Sequence, residues 1–353
     1  MGEPDAPVPG DTCPVPLTDR ARIVLGHGSG GKLTADLIQS LFLPSFDNPY
    51  LARLDDQAVL DLPRARWAFT TDSFVVTPIF FPGGDIGELA VNGTVNDLAM
   101  SGAVPRYIAA AFVLEEGLDL DALRRVVDSM RSAAAVAGVM LVTGDTKVVE
   151  RGKGDQMFIT TTGLGLIERP VTISADRARP GDRVILSGSV GDHGMAVMSC
   201  RENLEFDGAI ESDTAPLHAL VRAMLGASEQ IHCLRDPTRG GLATTLNEIA
   251  SRSAVGIELE EEAIPVKESV KGACEILGLD PLYVANEGKL VAFVPESAAD
   301  AVLEAMRNDP AGREARIIGR VVAEHPTLVL LKTSVGGTRI VDLMVGEQLP
   351  RIC

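Results

Sequence analysis

The chain ends on a cysteine, Cys353, behind Pro350, Arg351 and Ile352 and downstream of the pair Gly336-Gly337. A thiol at that place sits on a tether and can enter or leave a site as a thiolate; the alternative is an incidental exposed thiol. It is not a prenylation signal, which needs cysteine four residues from the end. Acids form the second group. Asp55 and Asp56 are adjacent, Asp72 follows an expected strand that ends in Thr70-Thr71, Asp97 follows Asn96, and Asp145 follows Val139–Thr143. Each stands beside an apolar segment, where a carboxylate is expensive unless paired or bound to metal. Asp55, Asp56, Asp72, Asp97 and Asp145 are thus the candidate ligands of Mg²⁺, which takes hard oxygens from carboxylates and substrate phosphates. Any one of them alone is equally a helix or turn cap. Asn92 and Asn96, four apart, share a helix face.

Two glycine-rich stretches suit anions. Gly26-His27-Gly28-Ser29-Gly30-Gly31-Lys32-Leu33 nearly matches a Walker A loop. Leu33 stands where that motif needs Ser or Thr, and no βαβ unit follows the short expected strand over residues 21–25, so a P-loop enzyme is excluded. Gly28, Ser29, Gly30, Gly31 and Lys32 still form a candidate phosphate cradle, or else a plain turn. Arg235-Asp236-Pro237-Thr238-Arg239-Gly240-Gly241 precedes a helix expected from Leu242, and Asp236 and Arg239 are either part of an anion site or ordinary capping residues. Gly191-Asp192-His193-Gly194 follows a strand in the same manner and reads better as structural. In Asn286-Glu287-Gly288-Lys289, before an apolar strand, Glu287 is a candidate general base or an exposed hairpin acid.

The elements that must position these residues alternate. Trp67–Thr71, Tyr107–Leu114, Val139–Thr143 and Met157–Leu164 read as strands. Leu89–Met100 reads as a helix ended by Gly102. A second helix carries Leu120, Leu123, Val127, Met130 and Ala134 on one face, with Asp119 as its N-cap. Further on, strands are expected at residues 183–186, 289–294 and 328–331, and helices at 217–225 and 242–250. The chain is thus α/β (α+β), in two mixed αβ layers. The expected division is a disordered extension (1–21), a first domain (22–168), a second domain (169–335) and a mobile tail (336–353). The net charge of −17 excludes a basic nucleic-acid footprint. No apolar run is long enough for a membrane helix, the N-terminus has no apolar signal core, and five scattered cysteines without a CxxC pair suit the cytoplasm.

These motifs together resemble the HypE family of hydrogenase maturation proteins, within the superfamily of aminoimidazole ribonucleotide synthetase and selenophosphate synthetase. The resemblance runs from Ile23 to Cys353. It is most specific at Thr71-Asp72-Ser73, Phe80–Gly87, Val95–Met100, Thr143–Val149, Arg235–Gly241, Val284–Lys289 and the terminus Pro350-Arg351-Ile352-Cys353. It implies two domains of the aminoimidazole ribonucleotide synthetase type and a homodimer through the first, with ATP at or near the interface. Asp72, Asn92, Asn96, Asp145, Asp236 and Arg239 join the glycine loop as candidate nucleotide-binding residues. Asp97 and its neighbours would hold Mg²⁺. It further implies that Cys353 receives a carbamoyl group from the carbamoyltransferase HypF. That group would be dehydrated to a thiocyanate with ATP, and cyanide passed to iron on the HypC–HypD complex for [NiFe]-hydrogenase. Glu287 is the implied base, with Lys147 as proton relay or charge stabiliser. The rival expectations are another synthetase or kinase of the superfamily, and a non-enzymatic carrier of a modified cysteine. Selenophosphate synthetases carry a reactive Cys or selenocysteine in the glycine loop, where this chain has Ser29.

Overall fold

Strict alternation builds the first sheet. Along β4 (Met157–Ile167) the side chains of Met157, Ile159 and Thr161 point inward and their neighbours outward, the period-two pattern of a sheet with one covered face. In the computed structural model, which describes residues 22–29, 31–54, 57–204, 209–343, 349 and 351–352, β4 lies between β1 (Arg66–Phe74) and β2 (Val104–Glu115). β3 (Met140–Val149) runs parallel to β2 at the far edge, giving the order β1-β4-β2-β3. Gly30, Asp55, Asp56 and Cys353 lie outside the described residues, as does the N-terminal extension. The strand expected over 21–25 is replaced by a single bridge from Arg22 to Asp119 and a 3-10 turn, Leu25–Gly28.

Two helices cover the sheet. α1 (Ile86–Met100) starts where the Asp85 carboxylate accepts the amides of Gly87 and Glu88 at 2.7 and 3.1 Å. Buried on nearly every side, it must have three neighbours: the sheet, a second helix and the other domain. α2 (Leu120–Ala137) is amphipathic. Leu123, Val127, Met130 and Ala134 are buried at the spacing the sequence predicts, Asp119 caps it, and Gly138 ends it at φ 68°. The two helices cross closely at Gly87, where a Cβ would sit 2.4 Å from the Val126 carbonyl oxygen.

The second domain is a seven-stranded sheet. Its strands are β5 (Asp182–Leu186), β6 (Cys233–Arg235), β7 (Gly256–Glu260), β8 (Val291–Pro295), β9 (Arg316–Val322), β10 (Val329–Lys332) and β11 (Thr338–Ile340), in the order β11-β10-β7-β9-β5-β8-β6. The helices are α3 (Asp192–Arg201), α4 (His218–Ala227), α5 (Gly241–Ser253), α6 (Glu268–Leu277) and α7 (Glu296–Arg307). One core packs around α5 and another around α4 and α7. The domain continues past the expected boundary at 335. Gly336, at φ 86°, and Gly337 form the turn of the β10–β11 hairpin rather than the root of a tail, because a tight hairpin needs positive φ.

Asn96 stitches the domains. Its Nδ2 donates to the carbonyls of Ala215 (3.0 Å) and Glu287 (3.1 Å), and its Oδ1 accepts the Leu217 amide at 2.7 Å. With three bonds to backbone inside the seam, its amide is spent on structure, which corrects its expected role toward nucleotide. Asn92 likewise donates to Thr214 Oγ1 at 3.3 Å, leaving Oδ1 buried without a partner among the described residues. Replacing Asn96 by Ala strands two carbonyls and one amide. The expected loss is about 3 kcal/mol by urea unfolding; a loss below about 0.5 kcal/mol, the usual scatter for an inert surface change, would show that the seam does not depend on it.

Candidate active site

Alternation along β1 turns Thr70 and Asp72 toward α1. There Thr70 Oγ1 donates to Asp97 Oδ2 at 2.7 Å. Asp236 arrives on the loop between β6 and α5. Glu287, 3 % exposed, arrives on the loop before β8, with its Oε1 lacking a partner among the described residues. Four acids from two domains therefore meet at the seam. Burial, then repulsion from Asp213, Asp236, Asp72 and Asp97, drives Glu287 well above the usual carboxylate range. Burial and the Asp97 charge push Asp236 up to about 7. Asp72 and Asp97 are raised by the same desolvation, only partly offset by the Ser73 amide and Arg239 at Asp72, and by Thr70 and Arg235 at Asp97.

Such a nest of hard oxygens, each resisting ionisation, is chemically matched to a divalent cation. No three acids, histidines or cysteines among the described residues come close enough to enclose a metal by themselves.

The remaining expected residues lie elsewhere. Asp145 is inside β3, not at a strand end, and its exposed carboxylate pairs with Lys147 Nζ at 2.8 Å, which holds it below the usual range. The register Asp72–Thr161–Ala110–Gly144 puts three strand intervals between β1 and β3, roughly 14 Å. Asp145 pairs with Ala111 and Lys147 with Val113, on the opposite face from the buried Ala110 and Phe112. Asp145 is therefore not a companion of Asp72 and Asp97 within one chain, and Lys147 does not reach Glu287. The glycine loop belongs to this second locus. Gly28 packs on β3 so tightly that a Cβ would meet the Val148 amide nitrogen at 2.4 Å. Gly28, Thr34, Phe46, Tyr50, Asp145 and Lys147 line a cleft of about 310 Å³. Ser29, Gly31 and Lys32 are exposed beside it.

The described part of the C-terminal segment is docked. Leu349 and Ile352 are buried, and Arg351 adopts φ 54°. The Arg351 carbonyl accepts from Arg201 Nη2 (2.6 Å) and the Thr77 amide (3.2 Å), and its guanidinium donates to Asp155 at 2.5 Å. The Ile352 carbonyl lies 2.7 Å from His193 Nε2. His193, fully buried and edge-on to Phe81, is held below its ordinary pKa by that burial. It lies in the first turn of α3, just after the N-cap Gly191, the structural place expected of it; its contact with Ile352 was not expected. Sequence reading also misses Asp213 and Lys289. Asp213 is held below its usual pKa: burial would raise it, but the Lys289 ammonium at 3.0 Å and the Glu287 amide prevail. Lys289 adjoins Glu287 in the Asn286–Lys289 run, but Asp213 sits in a polar loop with no spacing signal. Of the described cysteines, Cys233 is pushed up to about 12 and Cys274 to about 11, first by burial, so neither is a nucleophile.

Two family patterns match. Residues 54–167 match the N-terminal domain, and residues 179–330 the C-terminal domain, of AIR synthase related protein. Carbamoyl dehydratase HypE of Azotobacter vinelandii is 58% identical over 327 residues, 93% of this chain and 96% of that protein. The crystal structure of hydrogenase maturation protein HypE in complex with ATP superposes with a TM-score of 0.90 at 53% identity, covering 94% of this chain and 99% of that one. A HypE–HypF complex superposes at 0.77 and 50% identity, covering 87% and 99%. No helix among the described residues is long and apolar enough to cross a membrane.

An acid raised by burial favours folding only while it stays protonated. Asp236 thus withdraws stability as pH rises from its unfolded value near 4 to about 7. Asp236→Asn, which mimics the protonated acid, is expected to match the wild type near pH 4. In metal-free buffer it should exceed it by roughly 2 kcal/mol at pH 8, about half of what a three-unit shift converts to. Urea midpoints at the two pH values decide, and a gap that does not widen with pH defeats the electrostatic reading.

Proposed function

The chain belongs to the HypE family of carbamoyl dehydratases, built on the AIR synthase related domain pair, and from that membership we propose that it dehydrates a carbamoyl group carried on its own Cys353. The product is a thiocyanate, the source of a cyanide ligand for [NiFe]-hydrogenase iron. The observation that carries the reading is the docking of Arg351 and Ile352 on the protein's own core. His193 holds the last-but-one residue beside the segment that bears Asp213, and Asp213 in turn accepts the Glu287 amide at 3.0 Å.

The substrate, R–S–C(=O)–NH₂, must lose its oxygen, a poor leaving group. Transfer of the γ-phosphoryl group of ATP to that oxygen turns it into phosphate. Expulsion of phosphate and removal of the nitrogen's protons leave R–S–C≡N, ADP and inorganic phosphate. Positioning and charge do most of the work in such a transfer, and a substrate tethered to the catalyst makes the step intramolecular. One or two of Asp72, Asp97 and Asp236 would hold Mg²⁺ together with the phosphate oxygens, and its charge would neutralise the triphosphate. Glu287 takes the proton from nitrogen. Burial and four acids oppose its charge; positive charge arriving among those acids lowers that barrier to acting as a base.

We place Lys147, Asp145 and the glycine loop in the same site across a homodimer. The face of the first sheet away from α1 is open, with Phe69 at 70 % and Met140 at 39 % exposure. Pairing two such faces with the edge strand β3 of one chain beside the edge strand β1 of the other would bring Lys147 round the rim of the sheet toward the partner's Glu287, and ATP to their interface. Because AIR synthase related enzymes share the acids, the terminal Cys353 separates this function from a sister synthetase or kinase. In this scheme HypF supplies the carbamoyl group, HypC–HypD receives the cyanide, and the cytoplasm keeps the thiol reduced.

Mass spectrometry of the carbamoylated chain with ATP should show loss of one water at the C-terminal peptide. Cys353→Ala should abolish the product, and Glu287→Gln should slow its formation by at least about 100-fold, a general-base contribution. An unmodified rate in the Glu287 variant removes it as the base. Co-expressed Lys147→Ala and Glu287→Gln chains should recover about a quarter of wild-type sites through mixed dimers; no recovery would confine both residues to one chain.

A further inference from the structure

Three consecutive residues, Ser212, Asp213 and Thr214, reach the docked terminus through His193 at one end and touch the Glu287 loop at the other. The Ile352 carbonyl can only accept a hydrogen bond, so the proton of the neutral His193 ring sits on Nε2. Nδ1 is then bare, and Ser212 Oγ, 2.8 Å away, must donate to it. The same hydroxyl accepts the Thr214 amide at 3.2 Å, which fixes the turn. Within that turn the Asp213 carboxylate accepts the amides of Glu287 (3.0 Å) and Gly288 (3.3 Å) and pairs with Lys289. Thr214 Oγ1 accepts from Asn92.

Packing leaves the segment no slack. A Cβ on Gly83 would lie 2.7 Å from the Ser212 amide nitrogen, and one on Gly288 would lie 1.8 Å from the Asp213 carbonyl oxygen. Backbone therefore presses on backbone on both sides. Peptide units are rigid, so a shift at Ser212 is passed to Asp213. When Ile352 leaves, the buried Nε2–H loses its acceptor, and the ring must turn or take a new partner, which moves Ser212.

We propose that Ser212–Thr214 is a positioning element that ties docking of the C-terminal residues to the setting of the Glu287 loop, so that the buried acid is fully seated only when the terminus is docked. The proposal rests on the reading of Cys353 as the carrier of the substrate. Its consequence is specificity in time: the loop that bears the base is ordered while the loaded terminus is present and loosened while it visits partners.

Hydrogen exchange on the full-length protein, without nucleotide or carbamoyl donor, tests this apart from the dehydration chemistry. Two variants act on the terminus from a distance: Ile352→Asp, which cannot seat a carboxylate in the core, releases it, and Arg351→Ala, which loses only the exposed pair with Asp155, loosens it to a lesser degree. Release of the terminus should raise exchange of the Glu287 and Gly288 amides by tenfold or more. Ser212→Ala should do the same with the terminus still docked, and Ser212→Thr, which keeps the hydroxyl, should restore protection. Combining Ser212→Ala with Ile352→Asp should add little beyond either alone. Unchanged exchange at Glu287 and Gly288 in both terminal variants, or effects that simply multiply, overturns the coupling. In single-turnover dehydration Ser212→Ala should lower the rate at saturating ATP at least tenfold without moving the ATP half-saturation point.

Discussion

Mutual repulsion among carboxylates brought out of water is the constraint around which the rest of the structure is arranged. Asp72 and Asp97 come from the first domain, and Asp236 and Glu287 from the second. Burial raises the resistance of each to ionising, and Asp72 adds to that of Asp97, both to that of Asp236, and all three to that of Glu287. A fold that wanted only stability would replace such a nest with apolar side chains. This one instead surrounds it with incomplete compensation. Arg235 and Arg239 offset part of the charge on Asp97 and Asp72, and Lys289 is committed to Asp213. The uncompensated remainder is a standing demand for positive charge. It also explains why α1 is buried on almost every side: the helix that carries Asp97 is the shared wall of both domains.

The docked terminus solves a different difficulty. A carbamoyl thioester-like group needs a dry site for its dehydration but must be loaded and unloaded by other proteins. Burying Ile352 against the core while holding the chain by carbonyl contacts to His193, Arg201 and Thr77 gives firm placement from few side chains. Most of those contacts involve backbone, so the terminus is held largely through its path, with Arg351 and Asp155 adding one exposed pair. Exposed ion pairs contribute little and exchange easily, which suits a segment that must also leave.

Much of this was legible in the sequence, for reasons that differ by element. α2 was readable because its apolar positions recur at helical spacing and both of its caps are local. The four strands of the first sheet were found, but their ends ran short. β3 continues through Asp145 to Val149 because pairing with β2, which local composition does not reveal, carries it on. Asp72, Asp97, Asp236 and Glu287 were legible as acids beside apolar runs. Their convergence was not, since it depends on how two domains meet. Asn96 misled for the same reason: an asparagine on a buried helix face reads as a ligand-binding group until the backbone it bonds is seen. Gly336-Gly337 read as a loosening of the chain, yet it is a hairpin turn, because a glycine pair signals positive φ and does not tell a turn between paired strands from the start of a tail. Asp213 gave no pattern at all, and His193 only that of a structural turn after a strand; their importance lies in contacts across long stretches of chain.

The separation of Lys147 from Glu287 is best understood as a consequence of sheet geometry. Side chains on successive strand positions point to opposite faces. A sheet that turns Asp72 toward α1 and Asp145 and Lys147 away from it has divided its polar groups between two compartments. The first compartment is closed by the chain's own second domain. The second is bordered by an open face on which Phe69 stands largely in water, an arrangement that favours association. A symmetric pairing of such faces would give each chain's acids a cation, Lys147, that its own topology withholds. The same pairing would extend the cleft beside Gly28 by a second wall. A four-stranded sheet of this order cannot place both groups on one side of itself, so within one chain Lys147 and Glu287 belong to separate compartments.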